Sequence, residues 1–395
     1  MKHLKIIFNA LKGVVLTLVL SSSLPAAAQE DINPMDSVEI SLLTCQPHDE
    51  VYSLYGHTAI RYHDLRHQGL DLAFNYGVFD FKKPHFVARF VFGLTDYELG
   101  AYPYKYFVNE YRRFGSMVTE QVLNLTNEEK SAMHEALAIN LRPDNRIYRY
   151  NFFYSNCTTK ARDIIEQCIK GNLKYSEREG YTPTYREIVH SMTERNPWSR
   201  FGNDLLLGIK ADQKTDLRQQ EFLPYNLLYD FDHAQIYADG TYRPLVKERR
   251  IAVPAGVQIV QEGFPLSPLA CAIILLAISL FLFLLEWRRK RAFVLWDILL
   301  MLLTSTFGIV LTLILFSQHP TVSLNLQIIL LNPLPLFFLW PVIRGRQTRY
   351  WKITAILAVL FLIGSIFQSY AEGIHVLALC LLMQCYANMK LKASK

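Results

Sequence analysis

The chain has no Cys-x-x-Cys pair, no His-Glu-x-x-His, no phosphate-cradling glycine loop and no Gly-x-Ser-x-Gly elbow. These absences remove the usual sequence grounds for a structural zinc site, a zinc protease, a P-loop nucleotidase and an α/β serine hydrolase. No internal repeat and no low-complexity linker interrupts the 395 residues, which excludes a solenoid. Charge is also scarce. Charged residues make up 19% against 51% hydrophobic, and mean hydropathy is +0.12, too apolar for one soluble domain and too polar for an all-membrane protein. A split architecture follows. The basic excess sits at the two ends: residues 1 to 28 carry three Lys and no acid, residues 266 to 395 carry eleven Lys and Arg against three acids, and the stretch between is net acidic. That distribution makes no electrostatic case for a nucleic-acid partner.

The N-terminus itself reads as an export signal. Lys2, Lys5 and Lys12 precede the apolar run Gly13 to Leu20, and Ala26-Ala27-Ala28 offers small residues for cleavage. An uncleaved anchor is the other reading, and both place the domain after residue 28 outside the cytoplasm. No Cys stands at the cleavage point, so the chain does not look like a lipoprotein itself. Residues 29 to 265 contain only Cys45, Cys157 and Cys168, an odd number, so at least one is free or paired between chains. A Cys45–Cys168 bridge that frees Cys157 and a fully reduced set both fit.

From residue 266 the apolar runs are long enough to cross a hydrocarbon core of about 30 Å. Leu266 to Leu285 is followed by Arg288-Arg289-Lys290-Arg291, Phe293 to Phe316 returns, Gln327 to Ile343 meets Arg344, Arg346, Arg349 and Lys352, Ile353 to Tyr370 crosses outward, and Ile374 to Met389 ends in Lys390, Lys392 and Lys395. The turns Ser317 to Asn325 and Ala371 to His375 hold no Lys or Arg. Five spans, with the globular part outside and the C-terminus cytoplasmic, satisfy the positive-inside rule at every turn. The third span carries Pro333, Pro335 and Pro341, which leaves a re-entrant segment open. The expected domains are a signal peptide over 1–28, an exported domain over 29–262 and a membrane domain over 263–395.

In the exported part, Val38 to Thr44 and Gly56 to Tyr62 alternate as strands, and Leu70 to Phe79 is a third. Adjacent pairing would bring His57 and Asn75 to neighbouring positions on one sheet face. Pro84 to Val108 is dense in Phe and Tyr, a stretch that packs as core or, near a membrane, holds acyl chains. A strand near Ser116 to Leu125 leads into the capping box Thr126–Glu129 and a helix through Leu141. Arg146 to Phe153 reads as a short strand, 171 to 235 resists placement, and Arg249 to Gln261 reads as the last strand.

The stretch Tyr154 to Ile165 carries the chemistry. Asn156 is a good N-cap and Ala161, Ile164 and Ile165 come after it at helical spacing, so Cys157 opens a helix. Unpaired N–H groups and the positive end of the dipole there favour thiolate and can hold an oxyanion. Such a Cys also simply packs in many proteins. With His57 to take the proton and Asn75 to orient the ring, the set is what a thiol nucleophile needs. The competing reading, His57, His63 and His67 as metal ligands, lacks any ligand spacing; neither a metal nor a cofactor is implied.

This order of parts, Gly56-His57-Thr58-Ala59-Ile60-Arg61-Tyr62 on a strand and Asn156-Cys157-Thr158-Thr159 at a later helix, resembles the circularly permuted NlpC/P60-like branch of the papain-like fold. With Leu43-Thr44-Cys45, Phe74-Asn75-Tyr76-Gly77, His319-Pro320, Asn325 and Leu331-Asn332-Pro333, nearly the whole mature chain resembles Lnb, the lipoprotein N-acyltransferase family of Bacteroidota. The resemblance implies an α+β fold, a permuted papain-like exported domain followed by a five-helix transmembrane domain, in the inner membrane with the N-terminal domain periplasmic. It implies transfer of an acyl chain from a phospholipid to the α-amino group of the diacylglyceryl-cysteine of a lipoprotein. Cys157 would be the nucleophile and His57 the base and then the acid. Asn75 or Asp80 would be the third member, with Tyr154 and Thr158 supporting the oxyanion.

Both substrates of that reaction are lipids, so a thiol near the bilayer and a thioester able to acylate an amine suit it. His319, Asn325 and Asn332 lie together in sequence around spans two and three, where polar groups are expensive unless engaged. They bind a lipid headgroup or complete the transfer site on one reading, and make interhelical hydrogen bonds on the other. Two other functions fit the soluble motifs: a membrane-anchored cell-wall peptidase or amidase, and a non-enzymatic envelope receptor or assembly factor in which Cys157 only packs.

Overall fold

A computed structural model describes residues 33–48, 53–67, 70–80, 82, 84–258, 263–345 and 349–393. The signal region 1–28, the domain boundary at 262, Gln261, Arg346 and Lys395 lie outside them. Pro34–Ser37 forms a short 3-10 turn, and the residues from Val38 onward form one compact unit.

The N-terminal half is built on a seven-stranded sheet. Its strands are β1 (Val38–Cys45), β2 (His57–Asp64), β3 (Asp71–Val78), β4 (Asp96–Pro103), β5 (Val118–Leu123), β6 (Ile147–Arg149) and β10 (Val246–Val253), in the order β10-β5-β1-β2-β3-β4-β6. Every neighbouring pair is antiparallel. The three strands expected first are there within two residues at each end, and they are central. β1 is buried on both faces, with Ile40, Leu42 and Leu43 at 1% exposure or less, so each of these side chains contributes about 1.5–3 kcal/mol by leaving water. β10 begins and ends earlier than the expected Arg249 to Gln261, because Pro254, which has no N–H to donate, follows its last paired residue Val253. The strand expected over Arg146 to Phe153 shrinks to three residues, since Phe152 and Phe153 turn inward onto Phe222.

One face of the sheet is covered by the helix Tyr104–Phe114, whose Tyr104, Phe107, Val108 and Tyr111 pack on Leu43, Cys45, Ala59 and Ala73. The helices Cys157–Cys168 and Asn127–Asn140 cover the other face, the latter opened by the expected Thr126–Glu129 capping box. The aromatic stretch resolves into a short helix Phe86–Val91, strand β4 and the start of the Tyr104 helix. The segment that resisted placement holds the helices Tyr185–Met192, Pro197–Leu206 and Pro224–His233 and the strand β7 (Asn172–Lys174), which joins β8 (Gln235–Ala238) and β9 (Thr241–Pro244), just beyond it, in a small sheet.

The second half is a helical domain. Pro268–Arg289 and Val294–Ile314 are long and apolar enough to cross a membrane, as is Leu326–Ile343 by length, while Tyr350–Gly364 and Ile374–Lys390 are shorter apolar helices. The third of these is broken. A 3-10 turn, Leu326–Ile329, and the Asn332-Pro333 step precede a ten-residue helix, Leu334–Ile343. Gly308 on the second helix permits the break, because a Cβ there would lie 2.3 Å from the Asn332 carbonyl carbon.

Candidate active site

The Asn156 side chain builds the start of the thiol helix. Its Oδ1 accepts the N–H groups of Thr158 and Thr159, both at 2.9 Å, and the Thr159 hydroxyl accepts the N–H of Asn156 in return. The Asn156 amide then donates to the carbonyls of Phe152 and Phe222, locking the cap into the body of the domain. This corrects one expectation. The second and third helical N–H groups are engaged by the cap, so they are not open donors, and the Cys157 N–H is the one left at that terminus. Thr158 is fully buried, and its hydroxyl lies 3.1 Å from that of Thr58 and 3.8 Å from the Cys157 sulfur. It pins the helix to the strand position next to His57.

His57 begins β2, opposite Cys45. On the far side Gly77 runs directly beneath the ring: a Cβ there would lie 2.8 Å from Cε1 of His57. Burial pushes the His57 imidazole down, but the nearby Cys157 sulfur and the Asn75 amide outweigh it and raise its pKa. Burial likewise pushes the Cys157 thiol up. The His57 charge and hydrogen bond, the Thr58 N–H and the Thr158 hydroxyl outweigh burial and bring it down to about 7. Thiolate and imidazolium stabilise one another, which is how a buried sulfur becomes a nucleophile at neutral pH.

Cys45 provides the contrast. It is fully buried where Cys157 is half-buried, lacks these partners, and its pKa rises well above the ordinary thiol value because burial dominates. Cys45, Cys157 and Cys168 are all free thiols, so the Cys45–Cys168 bridge is not formed.

Asn75 shares the face of His57. Its Oδ1 accepts the Gly77 N–H at 2.7 Å and its Nδ2 donates to the Tyr102 hydroxyl at 3.1 Å. Nε2 of His57 is buried without a hydrogen-bond partner, and catalytic hydrogen bonds commonly form or tighten when substrate binds. Asp80 is exposed past the end of β3 and accepts the N–H of Lys82. Asn75 is therefore the residue beside His57. Tyr154 is 44% exposed and packs edge-on against Phe153 and Tyr185.

Three other tyrosines lie close enough to Cys157 for its charge to oppose their ionisation. They are Tyr97 on β4 and Tyr148 and Tyr150 at the end of β6, with burial the larger cause of their raised pKa values. Tyr148 and Tyr97 are cross-strand partners. Tyr97 belongs to the aromatic stretch Pro84 to Val108 noted in the sequence; Tyr148 and Tyr150 did not stand out, and their alternation was the available signal.

The membrane-side residues separate. His319 lies 3.1 Å through Nε2 from the Phe90 carbonyl, and Gln318 donates its N–H to the Phe92 carbonyl at 3.0 Å. Asn325, 4% exposed, donates to the Leu205 carbonyl at 2.8 Å. Gln327 and Gln368, not singled out from sequence, do the same to Asp204 at 2.9 Å and Leu207 at 3.1 Å. Three buried amides thus satisfy the last carbonyls of the helix Pro197–Leu206, groups a helix C-terminus leaves unpaired. Leu205 completes the joint by entering the core of the helical domain with Leu330, Phe361 and Tyr370. Asn332 is local to the break, donating to the Ile329 carbonyl and accepting the Leu334 N–H. Among the described residues no cluster of three or more His, Cys, Asp or Glu is arranged to hold a metal ion.

Comparison with protein families matches residues 26–191 to the Lnb N-terminal periplasmic domain and residues 259–395 to the Lnb transmembrane domain. No curated protein and no solved structure matches the chain.

Proposed function

The chain belongs to the Lnb family, membrane proteins with a periplasmic N-terminal domain, and on that premise we propose that it is a thiol-dependent lipoprotein N-acyltransferase of the inner membrane. It spans that membrane five times with its C-terminus in the cytoplasm. The observation that carries the reading is the Cys157–His57 pair, with the thiol brought down to about 7, in a domain clamped through Asn325, Gln327 and Gln368 to the apolar helices. A nucleophile competent at neutral pH is thereby held beside a bilayer, where both an acyl ester and a lipid-modified amine reside.

The reaction runs in two balanced halves. The Cys157 thiolate attacks the ester carbonyl of a phospholipid, and the oxyanion formed meets the Cys157 N–H at the helix terminus, whose dipole favours negative charge. The C–O bond then breaks, His57 gives its proton to the departing lysophospholipid oxygen, and the acyl group remains as a thioester. In the second half the α-amine of a diacylglyceryl-cysteine attacks the thioester, the C–S bond breaks, and the amine's proton passes to the neutral His57. The acyl amide leaves and the thiolate–imidazolium pair is restored. Asn75 holds the imidazole on the Gly77 side throughout, and Thr158 ties the thiol helix to the histidine strand.

The first half is separable. Full-length protein in phospholipid vesicles without acceptor, quenched at low pH, is expected to carry one acyl mass on the Cys157 peptide, removable by hydroxylamine. An unmodified Cys157 peptide would overturn the thioester.

A further inference from the structure

Between the thiol and the helical domain lies a set of aromatic rings that the thiol chemistry does not use. Tyr97 and Tyr150 stack at 4.0 Å, Tyr97 and Phe79 at 4.8 Å, Phe79 and Phe86 at 5.6 Å, Phe86 and Phe90 at 6.4 Å, and Phe90 and Tyr150 at 6.1 Å. The five contacts close into a circuit with interplanar angles between 18° and 28°. Aromatic pairs pack offset-stacked or edge to face; the circuit is of the first kind throughout, whereas Phe153, Tyr185 and Phe222 meet at 51° to 66°. The circuit is also not sealed: four of its rings are half-buried and Phe90 is 37% exposed.

Its two ends fix what it connects. Tyr97 and Tyr150 lie within range of the Cys157 charge. Phe90 meets His319, at 6.2 Å between rings and 3.1 Å from Nε2 to the Phe90 carbonyl, and Ser317 donates its hydroxyl to the Val91 carbonyl at 2.8 Å. Ser317 and His319 come immediately after the apolar helix Val294–Ile314, so the far end of the circuit stands where a membrane-crossing helix emerges. A near-parallel, half-exposed apolar wall from the bilayer boundary to a thiol has the shape and polarity of a track for a hydrocarbon chain.

Resting on the proposed acyl transfer, we propose that Phe79, Phe86, Phe90, Tyr97 and Tyr150 form the wall along which the acyl chain of the donor phospholipid lies during thioester formation, and that His319 positions the wall by holding Phe90 against the helical domain. The donor chain is the occupant for a chemical reason. It is bonded directly to the carbonyl that must reach the sulfur, so a wall with Tyr97 and Tyr150 within range of the Cys157 charge is placed to contact that chain. The acceptor's chains are separated from its amine by the cysteine and glycerol carbons.

The test uses full-length protein in phosphatidylethanolamine vesicles without acceptor. One arm measures Cys157 acylation from donors bearing long or short acyl chains, for the parent, Phe90→Asp and Phe90→Leu. Burying a methylene contributes about 0.8 kcal/mol, so losing two of them against the wall predicts roughly a tenfold fall in the long-to-short rate ratio for Phe90→Asp. Phe90→Leu, which keeps the apolar contact, is expected to retain most of the ratio. Cys157 alkylation with the same pH midpoint as is found for the parent confirms in each variant that the site is assembled. The second arm uses a phospholipid with a photoreactive group midway along its acyl chain, and label is expected in the peptides carrying Phe86, Phe90 and Tyr150. An unchanged ratio in Phe90→Asp with an assembled site overturns the track, as does label confined to other peptides, while parent acylation leaves the transfer reading standing. Absence of any Cys157 adduct in the parent would overturn both.

Discussion

At the scale of single residues, two cysteines of one domain differ because of their neighbours and their burial. Cys157 has His57, the Thr58 N–H and the Thr158 hydroxyl around it and falls to about 7, while Cys45 rises because burial is not offset. Alkylation by iodoacetamide should therefore select Cys157, with a rate that climbs as pH rises through about 7 as the thiolate forms. His57→Ala removes the largest lowering influence and leaves the burial, so the same profile should move to higher pH; a midpoint that stays put would exclude the pair. Gly77→Ala is the sterically cleanest probe, because its Cβ would stand 2.8 Å from the His57 ring. Acyl transfer should fall at least about tenfold as the ring is displaced, since misplacement of a catalytic group by about 1 Å is enough for a larger loss. Thermal unfolding, measured alongside, should change little. These features were legible in sequence where they are local. The Asn156 cap bonds two and three residues ahead, and the His57 and Asn75 strands are adjacent, so their period-2 alternation shares one face. Tyr97 and Tyr148 were not legible, because what brings them to the thiol is the β4–β6 pairing across 51 positions of chain.

At the scale of elements the decisive piece is the helix Pro197–Leu206 and the turn at its C-terminal end. Arg186, 3% exposed, bonds Asp204 and Asp212, both at 2.7 Å, and holds that segment in shape from below. From the other side Asn325, Gln327 and Gln368 take its terminal carbonyls. Replacing Gln327 or Gln368 by Ala leaves the Asp204 or Leu207 carbonyl to Arg186 alone and should cost about 0.5–1.5 kcal/mol each, read as a lowered unfolding temperature of the whole protein. Gly208→Ala should be the most damaging change there, because its Cβ would lie 2.2 Å from the Ser323 carbonyl oxygen, backbone against backbone. We expect faster proteolytic cleavage near residue 208 in that variant and loss of transfer to lipid substrates; parent-like cleavage would mean the joint tolerates more than its geometry allows. Sequence alone marked Asn325 as a polar residue needing a reason, but its partner carbonyl is 120 residues away, and the segment supplying it has too little periodicity to be placed.

At the scale of the whole molecule, composition already divided the chain, and the basic ends against an acidic middle explained its charge without a nucleic-acid partner. The structure adds what hydropathy could not, a fixed seat between the halves. Polar residues near the membrane boundary that read either as headgroup ligands or as hydrogen-bonding between helices have protein partners: Asn325 a helix terminus, Asn332 a broken span, and His319 the carbonyl of Phe90. The membrane domain on this account is a platform that sets the thiol beside the bilayer and leaves the aromatic face of Phe90 toward it. The most direct test of the central claim supplies this protein, or its Cys157→Ala form, to a host lacking lipoprotein N-acylation and weighs the N-terminal peptide of a reporter lipoprotein. The account predicts a gain of one acyl chain on the α-amine with the parent and none with Cys157→Ala. An equal gain with both, or none with either when both are confirmed in the membrane, would contradict it.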